Sequence, residues 1–204
     1  MRLPVLILLD TSGSMSGVSL RRLQGAIERF KRKLEEYEYV RNRVEISIMG
    51  FNEHTYLICR WTKADGIKST QLAAYGGTDL SRALDDAIVA ISDWRQEKKE
   101  KGEAVLLLVS DGYGGALPET VKDRMSKGAI KLWFLGLPGY DRESASCITD
   151  EERIFELAGA IDDTCEVAFT AIAESIIATI RQTESVHERP MSDDVDYGLD
   201  RKVC

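Results

Sequence analysis

Two stretches of this chain are apolar without interruption, Leu3 to Leu9 and Ala104 to Val109. A strand with one wet face alternates polar and apolar residues, whereas a strand buried on both faces has no reason to. Both stretches therefore read as central strands of a parallel sheet, and parallel neighbours must be joined by crossovers, usually helices. Each run is followed at once by a carboxylate. Asp10 opens Asp10-Thr11-Ser12-Gly13-Ser14, and Asp111 sits in Ser110-Asp111-Gly112. In open parallel sheets, ligands bind outside the carboxyl ends of the strands, where both segments lie.

The rest of the chain supplies the crossovers. Leu20, Leu23, Ile27, Phe30 and Leu34 recur at helical spacing over Ser19 to Tyr37. Val44 to Phe51 and His54 to Trp61 read as two strands separated by the turn Asn52-Glu53, so the second must run antiparallel, at an edge. A polar loop from Lys63 to Gly77 leads into a helix over Asp79 to Gln96, with Leu80, Leu84, Ile88 and Ile91 on one face. Beyond Asp111 the expectations are a helix over Pro118 to Lys127, a buried strand over Ile130 to Leu137 and a long polar connection from Pro138 to Thr149. A helix over Glu151 to Ala160, a short strand over Thr164 to Phe169 and a helix over Ala171 to Gln182 follow. Residues 184–204 lack periodicity and read as a disordered acidic tail. The sum is a doubly wound, Rossmann-like α/β domain over residues 1–183. Its sheet is mostly parallel with one antiparallel edge strand, and helices cover both faces.

Composition excludes several function classes. A net charge of -7 argues against a nucleic-acid backbone as partner. Cys59, Cys147, Cys165 and Cys204 form no Cys-x-x-Cys pair, and His54 and His187 are the only histidines, which disfavours zinc sites and histidine-based catalysis. The apolar N-terminal run is short and ends in Asp10 without a cleavage site, and no stretch has membrane-spanning length. The expectation is a cytoplasmic protein with reduced thiols and neither a membrane nor a nucleic-acid partner. His54 reads as an edge residue, and Trp61, Trp94 and Trp133 as packing elements.

Taken singly, the polar motifs have ordinary readings. Asp10-x-Ser12-x-Ser14 can be a turn and helix cap, Thr78 or Asp79 an N-cap, and Asp111-Gly112 a strand-end turn. Gly13, Gly76, Gly77 and Gly112 read as backbone devices. Together and in this order, the segments resemble the metal-ion-dependent adhesion site (MIDAS) of von Willebrand factor A domains. Leu8 to Met15, Gly77-Thr78-Asp79-Leu80 and Ser110-Asp111-Gly112 look most like bacterial members associated with tellurite-resistance and stress-response gene clusters, the TerY-like proteins. The resemblance implies a magnesium site, with Mn2+ or Ca2+ as substitutes. Ser12, Ser14 and Thr78 would be its hydroxyl ligands and Asp10 and Asp111 its acidic ones. Two carboxylates balance a divalent charge and hydroxyls add none, so such an ion still attracts an incoming carboxylate. The expected role is a non-catalytic, magnesium-dependent protein-binding module whose partner supplies an Asp or Glu. Relatives of this kind point to a kinase, a phosphatase or an AAA ATPase as partner. In some relatives the last helix shifts when the metal engages a ligand, and Ala171 to Gln182 would be the matching helix here.

The competing class is a magnesium-dependent phosphatase or phosphotransferase of Rossmann-like fold. An Asp-x-Asp phosphatase needs a second carboxylate as general acid where this chain has Ser12, a poor proton donor. Leu135-Gly136-Leu137-Pro138 offers no lysine for a phosphoryl group, there is no P-loop, and Gly13-Ser14-Met15-Ser16-Gly17 puts Met where a serine nucleophile belongs. The tail segment Ser192-Asp193-Asp194-Val195-Asp196 could offer carboxylates to a neighbouring molecule, although a solvated tail is the simpler reading.

Overall fold

A computed structural model describes residues 2–16, 18–68, 72–111, 119–137, 140–156 and 161–187. Its elements run in the order β1 (Leu3–Asp10), α1 (Val18–Glu35), the single turn α2 (Glu38–Arg41), β2 (Val44–Phe51), β3 (Thr55–Thr62), α3 (Leu80–Lys98), β4 (Ala104–Ser110), α4 (Glu119–Lys127), β5 (Ile130–Gly136), α5 (Arg142–Ile148), β6 (Ile154–Glu156) and α6 (Ile161–His187). The six strands form one sheet in the order β3-β2-β1-β4-β5-β6. Every pairing is parallel except β2 with β3. The doubly wound sheet with one antiparallel edge strand is thus the fold of this chain.

The apolar runs sit where their composition requires. All eight residues of β1 and all seven of β4 are buried, and the two strands pair directly. Each strand serves two cores by alternation. Leu3, Val5, Ile7 and Leu9 pack with Leu23, Phe30 and Leu34 of α1 and with Phe169, Ile172 and Ile176 of α6. Leu6 and Leu8 pack on the other side with Leu84, Ala87 and Ile91 of α3, Val121 of α4 and Ile148 of α5. Phe30 meets Phe169 edge-on at 5.5 Å between ring centroids, a geometry aromatic pairs favour. The tryptophans pack as expected. Trp94 is buried, lies 5.8 Å from Trp61 and donates its indole N–H to Glu45 Oε2 at 2.9 Å, and Trp133 stacks on Phe155. His54 is exposed in the β2–β3 turn.

Three expectations in the C-terminal third give way. The connection from Pro138 to Thr149 contains α5, capped by the Asp141 side chain, which accepts from Glu143 N at 3.1 Å. The helix expected from Glu151 yields instead one 3-10 turn, Glu151–Arg153, and then the three-residue strand β6. Thr164 to Phe169 is no strand but part of α6. Its β-branched residues are overruled by a longer period, since Ala168, Phe169, Ile172, Ala173, Ile176, Ile177 and Ile180 are all buried at helical spacing. The same helix contains Ala171 to Gln182 and continues to His187, past the expected start of the tail. Gly112, Pro118, residues 157–160 and the acidic segment Ser192 to Asp196 lie outside the described residues.

Candidate functional site

The chain leaves β1 into a turn organised by Asp10. Its Oδ1 accepts the Ser12 N–H at 2.9 Å, and its Oδ2 accepts the Ser110 hydroxyl at 2.6 Å. The second bond follows from register. Leu9 is opposite Val109, so the last residues of β1 and β4 emerge side by side with Asp111 next along the chain. Thr11 turns away from this cluster. Its N–H and hydroxyl both donate to Phe51 O, at 2.7 and 2.8 Å, which ties the turn to the end of β2. Ser12 and Ser14 bring their hydroxyl oxygens to 3.0 Å from each other.

The loop carrying Thr78 is laced to the same strand ends. Tyr75 N donates to Thr11 O at 2.9 Å, and Gly13 N donates to Gly76 O at 3.0 Å. Gly76 has φ of +75°, a conformation that penalises any side chain. On either side of Thr78, Gly77 N donates to Glu53 Oε1 at 3.0 Å and Asp79 N to Asn52 O at 2.8 Å, so the β2–β3 turn holds the threonine in place. Asp79 itself caps α3, accepting from Arg82 N at 3.0 Å. Behind these contacts, Tyr56 donates its hydroxyl to Thr11 Oγ1 at 2.8 Å. Its ring covers Gly50 so closely that a Cβ there would lie 2.5 Å from it.

The structure therefore brings Asp10, Ser12 and Ser14 together by direct hydrogen bonds. It sets Asp111 on the adjacent strand end and ties the Thr78 loop to the Asp10 turn by backbone bonds. Burial decreases outward. Asp10 is 0 % exposed, Ser12 2 % and Asp111 8 %, whereas Thr78 is half-buried and Ser14 exposed. Both carboxylates and Ser12 thus lie at the floor, with Thr78 and Ser14 toward the rim. Burial pushes the Asp10 carboxyl above its ordinary range, partly offset by the Ser110 and Ser12 hydrogen bonds, and the charge of Asp111 pushes it further up. Among the described residues, no group of three His, Cys, Asp or Glu side chains gathers to hold a metal. A cation here would depend on hydroxyl oxygens.

The donor set fits a hard divalent ion. Adjacent oxygens around octahedral magnesium stand about 3.0 Å apart, because each lies about 2.1 Å from the ion at a right angle. The 3.0 Å between Ser12 Oγ and Ser14 Oγ matches that edge. Both Asp10 oxygens already accept hydrogen bonds, a state suited to supplying charge from behind the hydroxyls.

Several contributors escaped the sequence reading. Ser110 precedes Asp111 in the quoted motif, and its position at the end of a buried strand is the one signal that could have marked it. Thr11, Asn52, Glu53 and Tyr56 act through contacts between segments 40 or more residues apart in several cases, as with Thr11 and Phe51. No local pattern announces them.

Comparison with known proteins gives the family. The profile of the von Willebrand factor type A domain matches residues 5–113, more than half of the chain and all five candidate ligands. No curated protein matches at a significant level. Solved structures share the fold at low identity. The vWF domain of the type V pili tip protein Mfa5 from Porphyromonas gingivalis is 14% identical with a TM-score of 0.66, over 88% of this chain and 96% of that one. The pilus adhesin SpaC from Lactobacillus rhamnosus GG, in an open conformation, is 14% identical with a TM-score of 0.70, over 88% of this chain but only 30% of its own. BatB from Bacteroides thetaiotaomicron is 17% identical with a TM-score of 0.59, over 88% and 99%. With a matching profile across the sheet's first four strands and a fold shared along most of its length, this chain belongs to the von Willebrand factor type A domain family.

Proposed function

We propose that this domain is a non-catalytic protein-binding module. It would hold Mg2+ through Ser12, Ser14 and Thr78, with Asp10 and Asp111 behind them, and present the ion to a carboxylate of a partner protein. The observation that carries this reading is the Asp10 cluster. A fully buried carboxylate accepts from Ser12 N and the Ser110 hydroxyl, beside a pair of serine hydroxyls 3.0 Å apart. A bound cation would supply the compensating positive charge, and an ion ligated mainly by neutral oxygens keeps its attraction for an added anion. The partner's carboxylate becomes the element recognised.

A catalytic reading is less well supported. Ser12 stands where a phosphatase of this general architecture needs a proton donor, and a serine hydroxyl is a weak one. The setting of the partner has two candidates. The motif resemblance favours an intracellular stress or tellurite-resistance cluster, with a kinase, phosphatase or AAA ATPase as partner. The likeness to the pilus proteins Mfa5, SpaC and the PilB minor pilin of Streptococcus sanguinis favours a pilus-associated role.

Isothermal titration of Mg2+ into the purified protein is expected to give one site, lost in Asp10→Asn while the circular dichroism spectrum stays unchanged. Affinity capture with wild type in Mg2+, compared with Asp10→Asn and with chelator, should then recover a partner in the first condition alone. Absence of saturable Mg2+ binding by the folded wild type would overturn the reading, and magnesium-dependent phosphoester turnover would replace it.

A further inference from the structure

Among the described residues, four large apolar side chains are strongly exposed: Leu57, Tyr75, Val89 and Val167. Isolated exposed apolar residues are ordinary. Leu57 belongs to the edge strand and Val89 and Val167 to helices, away from the loops of the candidate site. Tyr75 differs in its attachment. It is 61% exposed, yet its N–H is fixed to Thr11 O at 2.9 Å, and the next residue, Gly76, accepts from Gly13 N at 3.0 Å. An aromatic ring is therefore carried at the rim, on a backbone tied to the residues that separate Asp10, Ser12 and Ser14. Rigid attachment matters because a ring whose backbone is already ordered loses little freedom on binding.

Acidic side chains bracket Thr78: Glu53 lies against Gly76 and Gly77, on the Tyr75 side, and Asp79 follows on the other. Glu53 and Asp79 are both exposed. The Glu53 carboxylate is spent on Gly77 N and that of Asp79 on Arg82 N, which fixes both charges beside the threonine. A second acid next to the incoming carboxylate would meet these charges at close range, whereas an apolar neighbour would meet Tyr75.

We propose that the rim sets the identity of the partner segment: a single Asp or Glu that enters the metal site, flanked by an aromatic or large aliphatic residue that packs on Tyr75, and not by a second acid. This deepens the carboxylate-on-metal reading and rests on it. Tyrosine is enriched among the residues that dominate binding energy at interfaces, and one aromatic contact corresponds to about a fivefold change in affinity.

Three seven-residue glycine-based peptides test the proposal by NMR titration in saturating Mg2+. Each carries one glutamate, flanked by phenylalanine, by glycine or by aspartate. Wild type should bind the phenylalanine peptide about fivefold more tightly than the glycine peptide, with the aspartate peptide weakest. Tyr75→Ala should erase the preference for phenylalanine and leave Mg2+ affinity unchanged, and Tyr75→Phe should restore it. A phenylalanine preference that is absent in wild type, or that survives in Tyr75→Ala, overturns the proposal. Peptide binding that persists in chelator, or in Asp10→Asn, overturns instead the metal reading beneath it, so the two failures are told apart.

Discussion

The carboxyl ends of β1 and β5 make an instructive pair. Both strands are parallel, lie inside the same sheet and leave it on the same side. At the end of β5 the chain continues into Leu137, buried, with its N–H given to Ser110 O at 3.0 Å, so that end is closed by backbone and hydrocarbon. β1 instead ends on Asp10 and continues into Thr11 and Ser12, all three buried and polar. The difference is position in the winding order. β1 lies between β2 and β4, and the connections on its two sides run to opposite faces, α1 with one core and α3 with the other. At that switch the flanking loops part and leave room for polar groups; between β4 and β5 no such parting occurs. Strand ends become sites where topology opens them.

Paired substitutions should break this comparison cleanly. Leu137→Ala empties a buried position and is expected to cost about 2–5 kcal/mol in urea denaturation while leaving Mg2+ affinity per folded molecule intact. Asp10→Ala should do the reverse, weakening Mg2+ at least about 100-fold by titration with the fold retained. If both substitutions moved both quantities, the two strand ends would not be functionally distinct.

Ser110→Ala sharpens the comparison, because Ser110 serves both ends. Its carbonyl receives Leu137 N and its hydroxyl feeds Asp10. Removing the hydroxyl alone should weaken Mg2+ about tenfold and, by leaving a buried carboxylate oxygen without its donor, cost about 1–3 kcal/mol of stability, as calorimetry would show.

A pH effect follows from the raised carboxyl of Asp10. The folded state holds that proton more tightly than the unfolded chain does. The associated stability is therefore complete below the ordinary carboxylate range, and it is lost as pH rises through the raised value. In chelator, wild type should accordingly lose stability relative to Asp10→Asn as pH rises above that range, by at most about 1.4 kcal/mol per pH unit. Denaturation midpoints of the two proteins that run parallel with pH would contradict it.

The smallest effect is expected at Glu53. Glu53→Ala frees Gly77 N and should loosen the Thr78 loop, weakening Mg2+ a few-fold, with Glu53→Gln closer to wild type because its amide oxygen can still accept. Equal affinities in all three proteins would show that the turn does not position Thr78.

Legibility in the sequence varied with the range of the forces involved. The helices at Val18–Glu35 and Leu80–Lys98 and the strands through Gly136 follow from the period of their apolar residues, a local property. The last third was harder. Ile154-Phe155-Glu156 is too short to show a period and is a strand because β5 offers it an edge. Thr164 to Phe169 has strand-forming residues but lies on a helix whose buried face is set by the groove beside α1.

The site divides in the same way. The types and order of Asp10, Ser12, Ser14, Thr78 and Asp111 were written in the chain, because strand-end polar residues after a buried run are conspicuous. The sequence by itself thus determined the layers of the fold and the oxygen chemistry available at one end of its sheet. Tertiary structure alone decided that Ser110 supports Asp10, that Glu53 and Asn52 bracket Thr78, and that Tyr75 is fastened to the rim. Each of these is a hydrogen bond between segments brought together by strand order, and strand order emerges only when both cores pack at once.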